Sequence, residues 1–323
     1  MRLLLALLLI AQVAFGQEQL GGSVEQVNKI IANGNANRIS VPVELRSKIN
    51  GAITNSDALM MRLPLPVEAK VKLTRTFPTS TAFAPTDLSG LEAWYKSGVG
   101  VTLNGGDVSQ WDDQSGNARH LTQVTGSKQP LYNAADVNWN GLASITFNGT
   151  SDFLLCHAVA PAIFQGTDKA WTIVTAIKRA SGGTYRFFMG SNDIAGGGNA
   201  QVVLSHKWNS VDDYVIYKRD TAASNVDSHI GTSNDNAVII RWQHSGTVAE
   251  VYVNGTSAGT SANNVGALTV QDVFCIGAFP SGVSSGATWW AGDIAEVVMY
   301  SRLLTAGEQL QIEAYFKDKF ATY

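Results

Sequence analysis

The chain has 323 residues, of which 45% are hydrophobic and 15% charged, and a net charge of −3 at neutral pH. That balance excludes the basic footprint of a nucleic-acid binder or of a protein drawn to anionic membranes. The length suits one large domain with a proper core plus a smaller piece, and 31 glycines with so little charge suit many strands joined by turns.

The chain opens on Met1 and Arg2, followed by an apolar run through Ile10 that is too short to span a bilayer comfortably. Small residues at Ala14 and Gly16, then polar Gln17 and Glu18, complete the pattern of a secretory signal peptide over residues 1–16. Left uncleaved, the same run would be an anchor helix; no later stretch is long and apolar enough to cross a membrane. The expected location is therefore secreted or extracytoplasmic. Residues 17–87 form a separate N-terminal arm. Ser23 and Gln26 have capping-box spacing before a short helix ending near Asn33 and Gly34, and Pro42 opens a second helical stretch to Ile49. Pro64 and Pro66 then break regular structure, and 74–85 reads as a linker rich in Thr, Ser, Ala and Pro. The arm is expected to serve anchoring or assembly, or to be a disordered stalk.

From Leu88 the pattern turns all-β. Strand-like runs recur at 93–96, 102–103, 143–147, 153–159, 171–178, 186–190, 201–205, 214–218, 238–244, 248–253 and 270–277, with turn residues between them. No helical periodicity intervenes, which predicts a sandwich or barrel over 88–323. Asn254-Gly255, between two such runs, predicts a two-residue hairpin of type I′. Cys156 and Cys275 lie in apolar runs and are candidates either for an exported disulfide or for free core thiols.

The last strand reads from Asp293 to Tyr300. Period-two alternation puts Glu296 on one face with Ile294, Val298 and Tyr300, and Asp293 on the other with Ala295, Val297 and Met299. A carboxylate in an apolar row must be hydrogen-bonded or paired, so Glu296 is expected to be structural. Thr305 and Glu308 then have capping-box spacing, before a helix whose apolar side is Leu310, Ile312, Tyr315, Phe316 and Phe320.

The series G-D-I-A-E-V-V-M-Y-S-R-L-L-T-A-G-E (292–308) resembles the closing strand and helix of laminin-G-like domains in the concanavalin A-like lectin/glucanase superfamily. The stretches L-E-A-W-Y (91–95), S-I-T-F-N-G (144–149) with Asp152 and Phe153, and V-Y-V-N-G (251–255) agree with it in the same order. The resemblance covers residues 88–320 and implies a two-sheet antiparallel jelly roll with a C-terminal helix. It also implies calcium in some members, and it says little about activity.

A retaining glycosidase needs two carboxyl groups about 5 Å apart. The alternation sends Asp293 and Glu296 to opposite faces, and the E-x-D-x-E pattern of the glucanase branch is absent. Asp112-Asp113 and Asp212-Asp213 read as solvated loop acids. The five histidines, at 120, 157, 206, 229 and 244, show no metal-binding spacing. Binding asks for less: Trp139, Trp208, Trp242, Trp289 and Trp290 are the aromatic candidates. The glycine-rich loop 190–199 offers Asn192, Asp193 and Asn199 as sugar or calcium ligands, with Asp193 the metal-ligand candidate. Trp208 and Trp289 are the ring candidates for ligand contact. The expectation is a non-catalytic recognition or adhesion module for glycan or a cell-surface protein. Its rivals are a structural module of a surface or particle assembly and a carbohydrate-active enzyme, either glycosidase or lyase.

Overall fold

A computed structural model describes residues 83–282 and 285–321. The leader and nearly all of the arm, with the helices expected in it, lie outside the described residues. The chain divides into two compact units, Met1–Ser80 and Thr81–Tyr323, and every described residue belongs to the second. Packing reaches back past the expected start at Leu88. The Phe83 ring meets Tyr315 at 6.2 Å, and the Tyr300 hydroxyl donates to the Pro85 carbonyl at 3.0 Å.

In chain order the strands are β1 (Leu91–Tyr95), β2 (Val101–Asn104), β3 (Asp107–Trp111), β4 (Leu121–Thr122), β5 (Leu131–Asp136), β6 (Leu142–Asn148) and β7 (Leu154–Leu155). A short helix α1 (Val159–Ile163) precedes β8 (Trp171–Arg179), β9 (Arg186–Asn192), β10 (Gln201–Lys207), β11 (Tyr214–Arg219) and β12 (Asn225–Ile230). Then come β13 (Ala237–His244), β14 (Val248–Val253), β15 (Thr256–Ala262), β16 (Val273–Ile276), β17 (Phe279–Gly282), β18 (Ser285–Ala287) and β19 (Ala291–Tyr300). Helix α2 (Ala306–Phe320) ends the fold. The run expected as one strand over 153–159 is only two residues of strand, and Val159 opens α1 instead.

Every pairing is antiparallel. One wall runs β15-β14-β13-β8-β19, with β6 and β1 sharing the far side of β19. The facing wall runs β7-β16-β9-β10-β11-β12, and β5, β3 and β4 join the two along one side. On the other side Ser228 Oγ on β12 donates to the Ala262 carbonyl on β15 at 3.3 Å. Apart from β17 and β18, which pair with each other in a small separate sheet, the strands thus form one continuous, nearly closed sheet where two separate sheets were expected. The coarser expectation holds: an all-β antiparallel fold with a C-terminal helix. Asn254 (φ 51°) and Gly255 (φ 76°) form the hairpin turn between β14 and β15, with both residues in the left-handed region that type I′ requires.

The walls enclose the main core, where Ile145, Phe147, Ile173, Ile177 and Trp242 meet Phe188, Val202, Leu204, Ile216 and Phe274. A second cluster covers the outside of the β19–β8 wall, where Ile312, Phe316 and Phe320 of α2 pack on Trp94, Trp139, Val174, Val298 and Tyr300. Leu310, expected on the apolar side, is 64% exposed, because it lies on the opposite side of the helix from Ile312 and Phe316. The Thr305 side chain accepts the Glu308 amide, and the Glu308 carboxylate accepts the Thr305 amide at 2.8 Å, which closes the capping box. Hydrogen bonds from Arg302, helped by that backbone donation, hold the Glu308 carboxyl down at about 2.

β19 departs from strict alternation. A bulge between Ile294 and Glu296 leaves Ile294, Val297 and Met299 in the inner core, with Ala295, Val298 and Tyr300 under the helix. Asp293 pairs with Thr146, whose neighbours Ile145 and Phe147 point inward, so Asp293 lies on the outer face. Asp293 and Glu296 therefore share a face, where simple alternation put them on opposite ones. The extra residue changes the phase of a period-two pattern. Asp293 accepts the Thr146 hydroxyl at 2.6 Å, and burial pushes its carboxyl up. Glu296 is fully buried. It accepts Trp94 Nε1 at 2.8 Å, the Tyr315 hydroxyl at 2.7 Å, the Ser97 amide at 3.3 Å and Lys319 Nζ.

Four donors on Glu296 leave no room for an amide. Glu296→Gln is expected to cost about 1–3 kcal/mol, because its NH2 must face at least one of these donors. Glu296→Ala is expected to cost at least as much, because Lys319 then loses its partner. Urea denaturation of the two variants beside the parent checks the order.

His206 sits inside the main core against Tyr214 (4.9 Å), Trp290 (5.2 Å) and Trp242 (5.8 Å), and neither ring nitrogen has a partner. Burial first, then nearby Arg179, pushes its pKa well below the usual value. The native state therefore keeps His206 neutral at a pH where the unfolded chain, with its ordinary value of about 6.5, takes up a proton. Stability should fall as pH drops below about 6.5, by about 1.4 kcal/mol per pH unit from this residue. Melting curves at pH 7.5 and 5.5 should show a smaller loss for His206→Phe than for the parent.

Candidate binding cleft

The residues singled out in the sequence do not converge. Asn192 and Asp193 are buried, and most of the polar groups of their loop bond within it or to the adjacent chain. Asp193 accepts the Gly196 amide, and the Asp272 carboxylate accepts the amides of Ile194 (2.8 Å) and Ala195 (2.6 Å). Asn192 donates to the Pro280 carbonyl at 3.0 Å, and Asn199 is half-buried. A side chain at position 196 would collide with the Asp193 carboxylate, which would have to shift to admit it. Calcium needs six to eight oxygens. Asp193 Oδ2 is the one carboxylate oxygen of Asp193 and Asp272 left unpartnered in this loop, so these residues do not fit the ion. Among the described residues no group of three or more His, Cys, Asp or Glu could hold a metal.

Trp139, Trp242 and Trp290 are fully buried. Trp208 lies between Phe187 on β9 and Tyr217 on β11, at 4.9 and 5.4 Å with interplanar angles of 18° and 23°. The two separations together match two strand spacings of about 4.8 Å. The indole is therefore intercalated across β10 with both faces covered, which removes it as a platform for a sugar ring. Nor are the acids after it simply solvated: Asp213 is buried against His229, and Asp212 holds Arg179 at 2.7 Å and Lys207 at 3.1 Å. Arg179 also binds Asp235 at 2.6 Å, so this end of the fold is an ion-pair network.

The two cysteines are free thiols. Leu155 pairs with Cys275, and the adjacent Cys156 points into the inner core while Cys275 points outward among Phe153 and Ala278. Antiparallel neighbours on opposite faces cannot bridge. Burial pushes both thiols up, and Cys275 Sγ donates to the Ala278 carbonyl at 2.9 Å.

An open cleft of about 560 Å³ lies where β4 and β7 link the two walls through the Thr122–Leu155 pair. Its lining includes His120, Thr122, Thr125, Lys128, Leu155 and His157. The backbone beneath is fixed by Gln123, which accepts the Thr125 amide at 3.0 Å and donates to the Phe153 carbonyl at 3.1 Å. Gln129 Nε2 donates to the Gln123 carbonyl at 2.6 Å. His120 Nδ1 accepts the Asp113 amide at 3.2 Å and lies 3.1 Å from Asp112 Oδ1. Val124 stands almost fully exposed at the rim, and His157 is exposed.

Leu155 continues the floor into an apolar patch of Phe153, Ala278 and Trp289. Trp289 packs on Phe153 at 5.8 Å, and Lys128 Nζ lies 5.5 Å from the same ring. Of the aromatic and loop residues singled out in the sequence, Trp289 alone adjoins the cleft. Hydroxyls, imidazoles and an ammonium thus stand over an apolar floor, and no carboxylate is among the lining residues. Sequence reading missed this site. Residues 120 and 157 are far apart in the chain, and the Thr122–Leu155 pairing of β4 with β7, with bonds linking Gln123 and Lys128 to the Phe153 backbone, brings them together.

Residues 148–308 match a family model of the concanavalin A-like lectin/glucanases superfamily, a laminin-G model. No curated protein matches the sequence. Among solved structures, a sialidase from Streptococcus pneumoniae is 13% identical, with a TM-score of 0.40, over 50% of this chain and 26% of its own. The binding domain of Paraclostridial Mosquitocidal Protein 1 is 12% identical, with a TM-score of 0.49, over 73% of this chain and 53% of its own. Domain 4 of an extracellular arabinanase from Geobacillus stearothermophilus, in complex with arabinotriose, is 16% identical with a TM-score of 0.46. That match covers 69% of this chain and 98% of the arabinanase domain. At such identities and scores the likeness bears on neither ligand nor activity.

The separation of the thiols is open to direct measurement. Denatured but unreduced protein should titrate both Cys156 and Cys275 with a thiol reagent, and a bridged form would titrate neither.

Proposed function

We propose that the chain is an exported, non-catalytic recognition protein whose laminin-G-like domain binds glycan in the β4–β7 cleft. The observation that carries this reading is the make-up of the cleft. Thr122, Thr125 and His157 present hydrogen-bonding groups above the apolar Leu155, with Phe153 and Trp289 alongside. A saccharide has the matching character, with hydroxyls around its edge and apolar C–H surface on its faces. The volume suits a short saccharide segment. A binding role is favoured over hydrolysis because a retaining or inverting enzyme needs two carboxyl groups flanking the scissile bond. The cleft lining contributes none. Export is argued from the leader pattern at residues 1–16.

A glycan array probed with the purified protein, with and without calcium, should show saccharide binding that does not depend on the ion. His157→Ala, at an exposed position, should keep its melting temperature and weaken binding roughly fivefold, the loss of one hydrogen bond of about 1 kcal/mol. An array with no bound saccharide would sink the glycan reading. Release of reducing ends or unsaturated products would replace binding with catalysis.

A further inference from the structure

The charge inventory of the cleft goes one step further. Across the described residues several partly buried cations hold a carboxylate, while Lys178 and Lys218 instead donate to the Asn138 side-chain oxygen and the Gly246 carbonyl. Arg119 pairs with Glu92, Arg179 with Asp212 and Asp235, Arg241 with Glu313, Arg302 with Glu308 and Lys319 with Glu296. Lys128 has no carboxylate within ion-pair distance among the described residues; its ammonium lies over the Phe153 ring at 5.5 Å. Its position is nonetheless fixed. It ends a 3-10 turn over Gly126–Lys128, its amide donates to the Thr125 carbonyl at 2.9 Å, and its carbonyl accepts the Phe153 amide at 3.2 Å. A lysine anchored at both backbone groups, with its head beside an aromatic face, loses little further freedom when an anion arrives. His120 is already faced by a carboxylate, since Asp112 Oδ1 lies 3.1 Å from it.

We infer that the ligand is an anionic saccharide whose carboxylate or sulfate meets Lys128 Nζ, with its ring hydroxyls on Thr125 and His157. This inference rests on the glycan reading above and adds the charge of the ligand. A neutral sugar would leave the ammonium in the cleft without a counter-charge. An acidic group forms a charge-assisted hydrogen bond there, and no lining carboxylate repels it.

The test is an array of matched saccharide pairs: uronate oligomers beside their carboxyl-reduced forms, and sulfated galactan oligomers beside their desulfated forms. The parent protein should bind the charged member of at least one pair about tenfold more tightly, the value of one charge-assisted hydrogen bond. Which pair responds distinguishes carboxylate from sulfate. Lys128→Gln should abolish the preference and Lys128→Arg should retain it, with melting curves confirming that both variants fold. If the neutral members bind as well as the charged ones, or the preference survives in Lys128→Gln, the inference falls and the glycan reading stands. If no member of any pair binds, both fall.

Discussion

The Glu296 carboxylate ties together the parts of this fold that are furthest apart in sequence. It lies on β19, and its donors come from Trp94 on β1, from Ser97 just beyond it, and from Tyr315 and Lys319 on α2. An unpaired carboxylate in that position would be too costly for the fold to tolerate. Those four groups must therefore arrive together, and the first strand, last strand and last helix are placed relative to one another by that need. Each partner is altered in turn. Burial, then the Glu296 charge, pushes the Tyr315 phenol well above its usual range, and burial pulls the Lys319 ammonium down against the opposing pull of Glu296. The apolar contacts of Ile312, Phe316 and Phe320 supply more of the energy, about 1.5–3 kcal/mol for each buried side chain. They would tolerate a sliding helix, and the polar cluster would not.

The bulge in β19 makes that arrangement possible. Before it, Ile294 faces inward; after it, Val297 and Met299 do. Ala295 and Glu296 lie between them on the outer side, so the carboxylate reaches the helix while the inner row stays apolar. Without the extra residue Glu296 would share a face with Ile294, inside the main core among aliphatic side chains that offer no donors. The same strand changes partners near this point, from β6 over Ala291 to Ile294 to β1 over Val297 to Tyr300.

The candidate cleft belongs to the other weak point of the architecture, the side where β5, β3, β4 and β7 carry one wall into the next. β4 and β7 have two residues each, too short to bury much on their own. Side-chain bonds from Gln123 and Gln129 to backbone fix the chain between them. A seam built this way leaves a depression and polar side chains that the core does not need. The Trp208 end of the fold is the contrast: it has richer chemistry, but its rings stack on one another and its acids and bases pair internally.

Features set by neighbours in sequence could be read directly. The Thr305–Glu308 capping box, the Asn254-Gly255 hairpin and the long apolar strand ending at Tyr300 each depend on residues within a few positions, so local chemistry determines them. The need of Glu296 for fixed donors was also legible, because the cost of burying a charge does not depend on where the partners come from. Which donors answer it was not, since strand pairing brings Trp94 there across 202 residues and helix packing brings Lys319 back across 23. The same holds for the bulge, which leaves no mark in a run of small and apolar residues, and for the opposite facing of Cys156 and Cys275. It holds for the cleft as well: Lys128, His120 and His157 are unremarkable in sequence, and only the closure of one wall onto the next puts them around a common space. Local propensity and hydrophobic pattern determined the class of fold and its caps and turns. Strand register and wall closure decided the site, because they depend on contacts between residues that sequence proximity does not connect.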